Sequence, residues 1–235
     1  MPDRGTRNAI FVLRMLCEWL IENQQDVILC FINYQKIFDK VHHSHLLTVL
    51  KRIGIDDKDF GIIRNLYYEQ IAAIKLTEGL IEWTDIKRGV RQGCIMSPDL
   101  FNLYSEFILK ELEEVEEENQ VNGRHMHNMR YADDTVHLAS SDVAQQMLLN
   151  VGQISSERFG LKLNINKTKV MVMSKRSPNE PSISITVNNV NIEQVQHLNY
   201  LGSWLSTDGR CGKEIRRRIN LPKRSFQSMK SIFRD

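Results

Sequence analysis

Two adjacent carboxylates, Asp133 and Asp134, are the residues of this chain whose type and spacing best suit chemistry. They sit inside Met129-Arg130-Tyr131-Ala132-Asp133-Asp134-Thr135-Val136-His137-Leu138-Ala139. Apolar residues on both sides suit two short strands, and the acids fall where a tight turn would join them. Neighbouring carboxylates repel, and neither is buried cheaply without a cation. Mg²⁺ answers that need, since it is held through oxygen by one or two carboxylates. A bare Asp-Asp pair would equally suit a solvated turn. The flanking Tyr131 and Ala132, and the motifs elsewhere in the chain, favour the metal.

Other ligand sets are weaker. His42-His43-Ser44-His45 and His125-Met126-His127 lack spaced acidic or cysteine partners and read as surface. The four cysteines (Cys17, Cys30, Cys94, Cys211) show no paired spacing, which argues against disulfides and zinc and for a reducing, intracellular compartment.

At 235 residues, 42% hydrophobic and 26% charged, the chain can bury one large core or two small ones. No apolar run approaches the ~18 residues of a membrane-spanning helix. Residues 9–21 are apolar but broken by Arg14 and Glu18, so an amphipathic helix is expected rather than a signal peptide. The net charge of +2 conceals a polarity: from Arg210 onward, nine Lys/Arg face only Glu214 and Asp235, so the body is acidic and the tail basic. Such a tail suits contact with a polyanion, or simply a solvated helix face.

The elements that position the acids follow from periodicity. Residues 7–23 form an amphipathic helix, and Val27–Ile32 is a short apolar run suited to a central strand buried on both faces. That strand ends at Asn33. Ser44 and Asp56 or Asp57 are expected to cap two helices, the first stopped by Gly54, and Glu78-Gly79 to turn a hairpin between Ile71–Thr77 and Leu80–Ile86. Arg88-Gly89-Val90-Arg91-Gln92-Gly93 offers close backbone approach and two arginines for phosphate. Ser97-Pro98 is expected to cap the next helix, whose tail, Glu111 to Glu118, carries six glutamates and reads as a solvated face. Ser141 or Asp142 caps a helix ending at Gly160. The strand Val170–Met173 and a loop at Pro178 and Pro181 follow. Short strands at Ile183–Val187, Val190–Ile192 and Val195–Leu201 precede a basic helix that Pro222 should break. Hairpins outnumber crossovers, so the class is α+β.

In chain order, five motifs stand out. They are Asn33-x-x-Lys36-x-Phe38-Asp39; Arg91-Gln92-Gly93-x-x-x-Ser97-Pro98-x-Leu100-Phe101-Asn102; Tyr131-Ala132-Asp133-Asp134; Gly160-Leu161-x-x-Asn164-x-x-Lys167-Thr168; and Tyr200-Leu201-Gly202. Together, over residues 5–235, they closely resemble the reverse transcriptase domain of non-LTR retrotransposons. The resemblance implies a right-hand polymerase fold, with an antiparallel palm sheet flanked by helices. Its divisions would be a fingers remnant or leading helix (1–25), the first part of the palm (26–45), fingers-side helices and hairpin (46–90), palm (91–209) and partial thumb (210–235). It implies DNA synthesis from deoxynucleoside triphosphates on an RNA template carrying a DNA primer, with two Mg²⁺ ions. Asp133 and Asp134 become the metal ligands. Tyr34, Lys36, Phe38, Arg91, Gln92 and Gly93 fall in the nucleotide pocket, with Phe38 as the floor that excludes a 2′-hydroxyl. Lys167 becomes a proton donor to the pyrophosphate. Tyr200, Leu201 and Gly202 become the primer grip, and Arg216, Arg217 and Arg218 become holders of duplex backbone. No membrane contact is implied, and a nuclear location would follow only from the element's way of life.

The chain departs from that pattern in three respects. The first palm strand of the family ends in a metal-binding aspartate five residues before the pocket aromatic; here that position is Asn33. Asp39 lies past the strand and Asp26 at its wrong end. Ile37 replaces a small alanine where the backbone nears the triphosphate, so its β-branched side chain is expected to crowd the pocket. Less fingers and thumb sequence is present than in the family. The expectation is a reverse transcriptase-like fold with weak or absent synthesis. A non-catalytic nucleic-acid-binding module and an inert mobile-element remnant are the alternatives.

Overall fold

The computed structural model describes residues 5–229 apart from 78, 81, 115–119, 122–123, 126–127, 175–181 and 210. Glu78, Arg210, His127, Pro178, Pro181 and the end of the glutamate run lie outside the described residues.

The amphipathic helix α1 (Thr6–Glu22) leads into β1 (Val27–Ile32), the short α2 (Ile37–Lys40), α3 (His43–Arg52) and α4 (Asp57–Tyr67). Four two-residue strands follow: β2 (Ile71–Ala72), β3 (Lys75–Leu76), β4 (Gly79–Leu80) and β5 (Thr84–Asp85). β2 pairs with β5 around the inner pair β3·β4, which is the hairpin expected here, drawn short. Then come α5 (Ser97–Ile108), running on as a 3-10 turn Leu109–Glu114, the small pair β6 (Gln120–Val121) and β7 (Arg124–His125), and the hairpin β8 (Asn128–Tyr131) and β9 (Asp134–Ala139). Next are α6 (Asp142–Arg158), β10 (Lys169–Met173), β11 (Thr186–Val187), β12 (Val190–Asn191) and β13 (Glu193–Gln194). β14 (His197–Tyr200), β15 (Ser203–Ser206) and α7 (Gly212–Ser228) end the described chain.

The main sheet has the order β13-β10-β1-β9-β8, antiparallel throughout except where β13 runs parallel to β10. β1 is its centre, and all six of its residues are buried, as a continuous apolar run requires. Alternate residues feed two cores. Ile28, Cys30 and Ile32 join the larger one under α3, α4, α5 and α6; Val27, Leu29 and Phe31 join the smaller one under α1 and the β14–β15 hairpin.

Local chemistry accounts for most helix ends. Asp56 accepts from the Lys58 amide (3.2 Å) and Ser141 from the Ala144 amide (3.2 Å), both as N-caps. Gly54 and Gly160 stop α3 and α6 at positive φ of 77° and 79°. Three expectations shift. α3 starts at His43, so Ser44 lies in its first turn. Ser97 is the first residue of α5 rather than its cap, and its hydroxyl donates instead to the Arg91 carbonyl (2.6 Å). Pro222 does not break α7, which runs through it with few tertiary contacts to strain. No described helix is long and apolar enough to cross a membrane.

Candidate active site

The β8–β9 register pairs Tyr131 with Asp134, so the two-residue turn is Ala132-Asp133 and Asp134 already belongs to β9. This moves the second acid out of the turn where the sequence put both. Ala132 takes a left-handed φ of 52° to close it. On the other side of β9, β1 pairs Phe31 with Val136 and Ile32 with Thr135. One further step of that register sets Asn33 opposite Asp134. By alternation, both face the same side as Phe31 and Val136, towards the β14–β15 hairpin.

Asn33 is pinned through its backbone. Its amide donates to Thr168 Oγ1 (3.2 Å), and its carbonyl accepts from the Asn164 amide (2.7 Å). The Lys167 and Thr168 amides both return to the Asn164 carbonyl, at 3.1 and 2.9 Å. This compact loop carries exposed Lys167 to the same end of the sheet as the acids. No other acid takes Asn33's place among the described residues. Asp26 precedes β1 at its far end, and Asp39 is exposed on α2.

Asp133 is exposed and Asp134 half-buried. Burial pushes the Asp134 carboxyl up from its ordinary value, and the Asp133 charge beside it adds to the push. Tyr200 stands near. Burial raises its phenol, and the Asp134 charge raises it further. The Tyr200 ring packs on Phe31 with centroids 5.3 Å apart, and its buried hydroxyl has no hydrogen-bond partner.

The Arg91-Gln92-Gly93 loop is anchored at both ends. The Gly89 and Val90 amides donate to the carbonyls of Val41 (2.8 Å) and Phe38 (2.9 Å), and His43 Nε2 donates to the Gly89 carbonyl (2.8 Å). A Cβ on Gly89 would stand 3.4 Å from the Asp39 backbone, at a φ of 93° that already favours glycine. Ser97 holds the Arg91 carbonyl from inside. Arg91, Gln92 and Gly93 are left exposed, as is Lys36. Phe38 is half-buried on Phe101, ring centroids 4.6 Å apart, which fixes it as a floor.

Several expected residues point elsewhere. Tyr34 turns into the larger core, where its hydroxyl hydrogen-bonds Ser156 Oγ (2.9 Å). Ile37 is buried in the same core, 5% exposed, so its side chain does not crowd a triphosphate. Arg217 and Arg218 are both drawn to buried Glu214, the former at 3.5 Å, and Arg217 also donates to the Gly202 carbonyl (3.1 Å). Only Arg216 of the three is exposed without such ties. Sequence reasoning missed Glu214, although its i,i+3 and i,i+4 spacing to two arginines was a readable signal. It gave Arg14 no role, since its partner Ser203 lies 189 residues away in the chain, and it named Asn164 and Thr168 in a motif without foreseeing that both would hold the Asn33 backbone.

The donor set has the chemistry a hard cation takes: two carboxylates, Asp133 and Asp134, and an amide oxygen on Asn33. The raised carboxyl of Asp134 reflects burial first and the Asp133 charge second, and a divalent cation beside both would favour the ionised form. Among the described residues no group of three His, Cys, Asp or Glu could hold a metal, which leaves this site one anion short of a three-acid set.

Residues 6–205 match the family described as reverse transcriptase (RNA-dependent DNA polymerase). The chain belongs to the reverse transcriptase family. Relatives place this reverse transcriptase domain among those of non-LTR retrotransposons. It is 26% identical over 182 residues to the Pol polyprotein of the R2 element of Nasonia vitripennis, covering 74% of this chain and 18% of that protein. It is 24% identical over 209 residues to the RNA-directed DNA polymerase of the mobile element jockey of Drosophila melanogaster, covering 86% of this chain and 21% of that one. The domain therefore spans about a fifth of each. Among solved structures it resembles telomerase from Candida albicans (TM-score 0.59, 12% identity, 88% of this chain and 34% of that one). It also resembles the RNA-dependent RNA polymerase of a human picorbirnavirus (TM-score 0.51, 15% identity, 88% and 34%). The α+β right-hand polymerase fold is thus the fold of the chain.

Proposed function

We propose that this reverse transcriptase domain holds an RNA template and DNA primer in its cleft, and that Asn33 leaves its DNA synthesis weak or absent. The observation that carries the reading is Asn33 opposite Asp134, in the register where a third carboxylate would complete the metal set. Asp133 and Asp134 hold Mg²⁺, which when bound lowers the cost of charge building on the transferring phosphate. With two carboxylates and a neutral amide the site keeps one ion well and a second poorly.

The remaining roles belong to the chain's own side chains. Phe38, fixed on Phe101, meets the deoxynucleotide sugar. Arg91 and Lys36, exposed beside it, meet phosphate, and Gln92 and Gly93 lie along the base pair being formed. Lys167 stands free to give its proton to the leaving pyrophosphate oxygen. The Tyr200-Leu201-Gly202 turn holds the primer end, and Arg216 reaches duplex backbone.

Primer extension on an RNA template, with Mg²⁺ or Mn²⁺, tests this on the chain and on Asn33→Asp. The acid is expected to raise incorporation at least about tenfold, one hydrogen-bonding unit of transition-state stabilisation. Robust synthesis by the parent chain would overturn the reading. A second function fits the same cleft: binding of hybrid duplex without synthesis, seen as salt-dependent affinity in both chains and extension in neither. Two buried apolar cores favour either function over an inert remnant that barely folds, and a single cooperative melting transition is the check.

A further inference from the structure

The β14–β15 hairpin is held from outside by two charged side chains from opposite ends of the chain. Among the described residues β15 pairs with β14 and no third strand covers its other edge, which faces side chains instead. Arg14 of α1 donates through Nη2 to the Trp204 carbonyl (3.0 Å) and to Ser203 Oγ (3.0 Å), and through Nη1 to Cys211 Sγ (2.7 Å). Glu214 of α7 accepts from the Trp204 amide (2.9 Å). Both backbone groups of Trp204 are therefore bonded to ionised side chains, the stronger kind of hydrogen bond. Arg217, itself paired with Glu214, closes on the Gly202 carbonyl (3.1 Å).

The same hairpin carries Tyr200, whose ring rests on Phe31 beside Asp134. A shift of the hairpin as a unit, β15 carrying its partner β14 with it, moves Tyr200 and the Leu201-Gly202 turn relative to Asp134. Past its first turn α7 is exposed on all sides, so Glu214 is its main anchor on the body.

We propose that Arg14 and Glu214 are positioning residues: they fix the height of the Leu201-Gly202 turn beside Asp134, and so fix where the 3′ end of a bound primer lies. The proposal rests on the reverse transcriptase reading for its ligand and on the hydrogen bonds alone for its geometry. A mere staple would alter stability and weaken every nucleic acid alike. A positioning clamp selects for a recessed 3′ end.

The test uses the full chain and the variants Arg14→Met, Arg14→Lys and Glu214→Gln. Fluorescence anisotropy compares an RNA carrying an annealed DNA primer with the same RNA single-stranded. Hydrogen exchange follows the amides of residues 200–206 without nucleic acid, and thermal melting reports the fold. Arg14→Met and Glu214→Gln are expected to weaken the primed RNA about tenfold, the worth of one hydrogen bond to a charged group, with single-stranded RNA within about twofold. Arg14→Lys, which keeps the charge but not the fork, falls between. Equal weakening of both probes, or no change in either, reduces the pair to a staple and overturns the proposal. If the parent chain fails to prefer primed RNA, it is the reverse transcriptase reading that fails. Exchange then decides the clamp: faster exchange confined to 200–206 at unchanged melting upholds it, and unchanged exchange ends it.

Discussion

The two faces of the central sheet are built differently. Beneath it, Ile28, Cys30, Ile32, Val170 and Val172 meet α3, α4, α5 and α6 in a core closed on all sides, where Tyr34 pairs with Ser156 and Tyr104 with the Phe159 carbonyl. Above it, Val27, Leu29, Phe31, Val136 and Leu138 meet only α1 and a two-stranded hairpin, and the rim of that smaller core holds Asn33, Asp134, Tyr200, Arg14 and Glu214. The closed face supplies stability and tolerates no charge. The half-closed face leaves ionisable groups at its edge, Asp134 and Tyr200 among them, where a ligand can meet them.

The contrast breaks first if the closed face is soft. Phe101→Ala, at a fully buried residue stacked on Phe38, should cost about 3–5 kcal/mol in urea unfolding. A loss under about 1 kcal/mol would mean that this core relaxes freely.

On the other face the signs reverse. Tyr200→Phe removes a buried hydroxyl that has no partner, so it should raise stability by about 1 kcal/mol while weakening primed-template binding. A destabilised variant would reveal a bond to that hydroxyl.

Asp134→Asn sharpens the same point through pH. The folded carboxyl is raised, so the folded state holds its proton longer than the unfolded chain does. The penalty is absent below the ordinary carboxylate range and complete above the folded value. With EDTA at neutral pH, the variant should be the more stable by under about 1 kcal/mol, given solvent screening of a half-exposed group. The difference should vanish on acidification, and Mg²⁺ should stabilise the parent alone.

The smallest effect belongs to α7. Pro222→Ala restores one helical hydrogen bond, worth up to about 3 kcal/mol within a helix. It should slow hydrogen exchange after Ile219 yet shift global unfolding by less than about 0.5 kcal/mol, because the residues of that stretch are exposed.

The sequence disclosed whatever depends on local pattern. The Val27–Ile32 run names its own place in the sheet because only a strand covered on both sides stays apolar throughout. The Asp133-Asp134 hairpin, the glycine stops and the Asp56 and Ser141 caps are set by neighbours a few residues apart. Tyr34 follows the alternation of Ile28, Cys30 and Ile32 into the larger core, whereas the side chain of Ile37 was misjudged because the chain leaves β1 in an irregular turn, with Lys36 left-handed at φ 45°, past which alternation no longer says which way a residue faces. Arg14 meeting Ser203 could not be read at all, since 189 residues separate them and nothing local demands the contact.

Ala132 carries one more consequence. An alanine held at φ 52° costs on the order of 1 kcal/mol, where glycine would sit at ease. Glycine would also let the tip wander over other conformations. The methyl group thus trades a little folding energy for aim: a tense knuckle holds Asp133 at one fixed offset from Asp134, and a more comfortable one would let that offset drift.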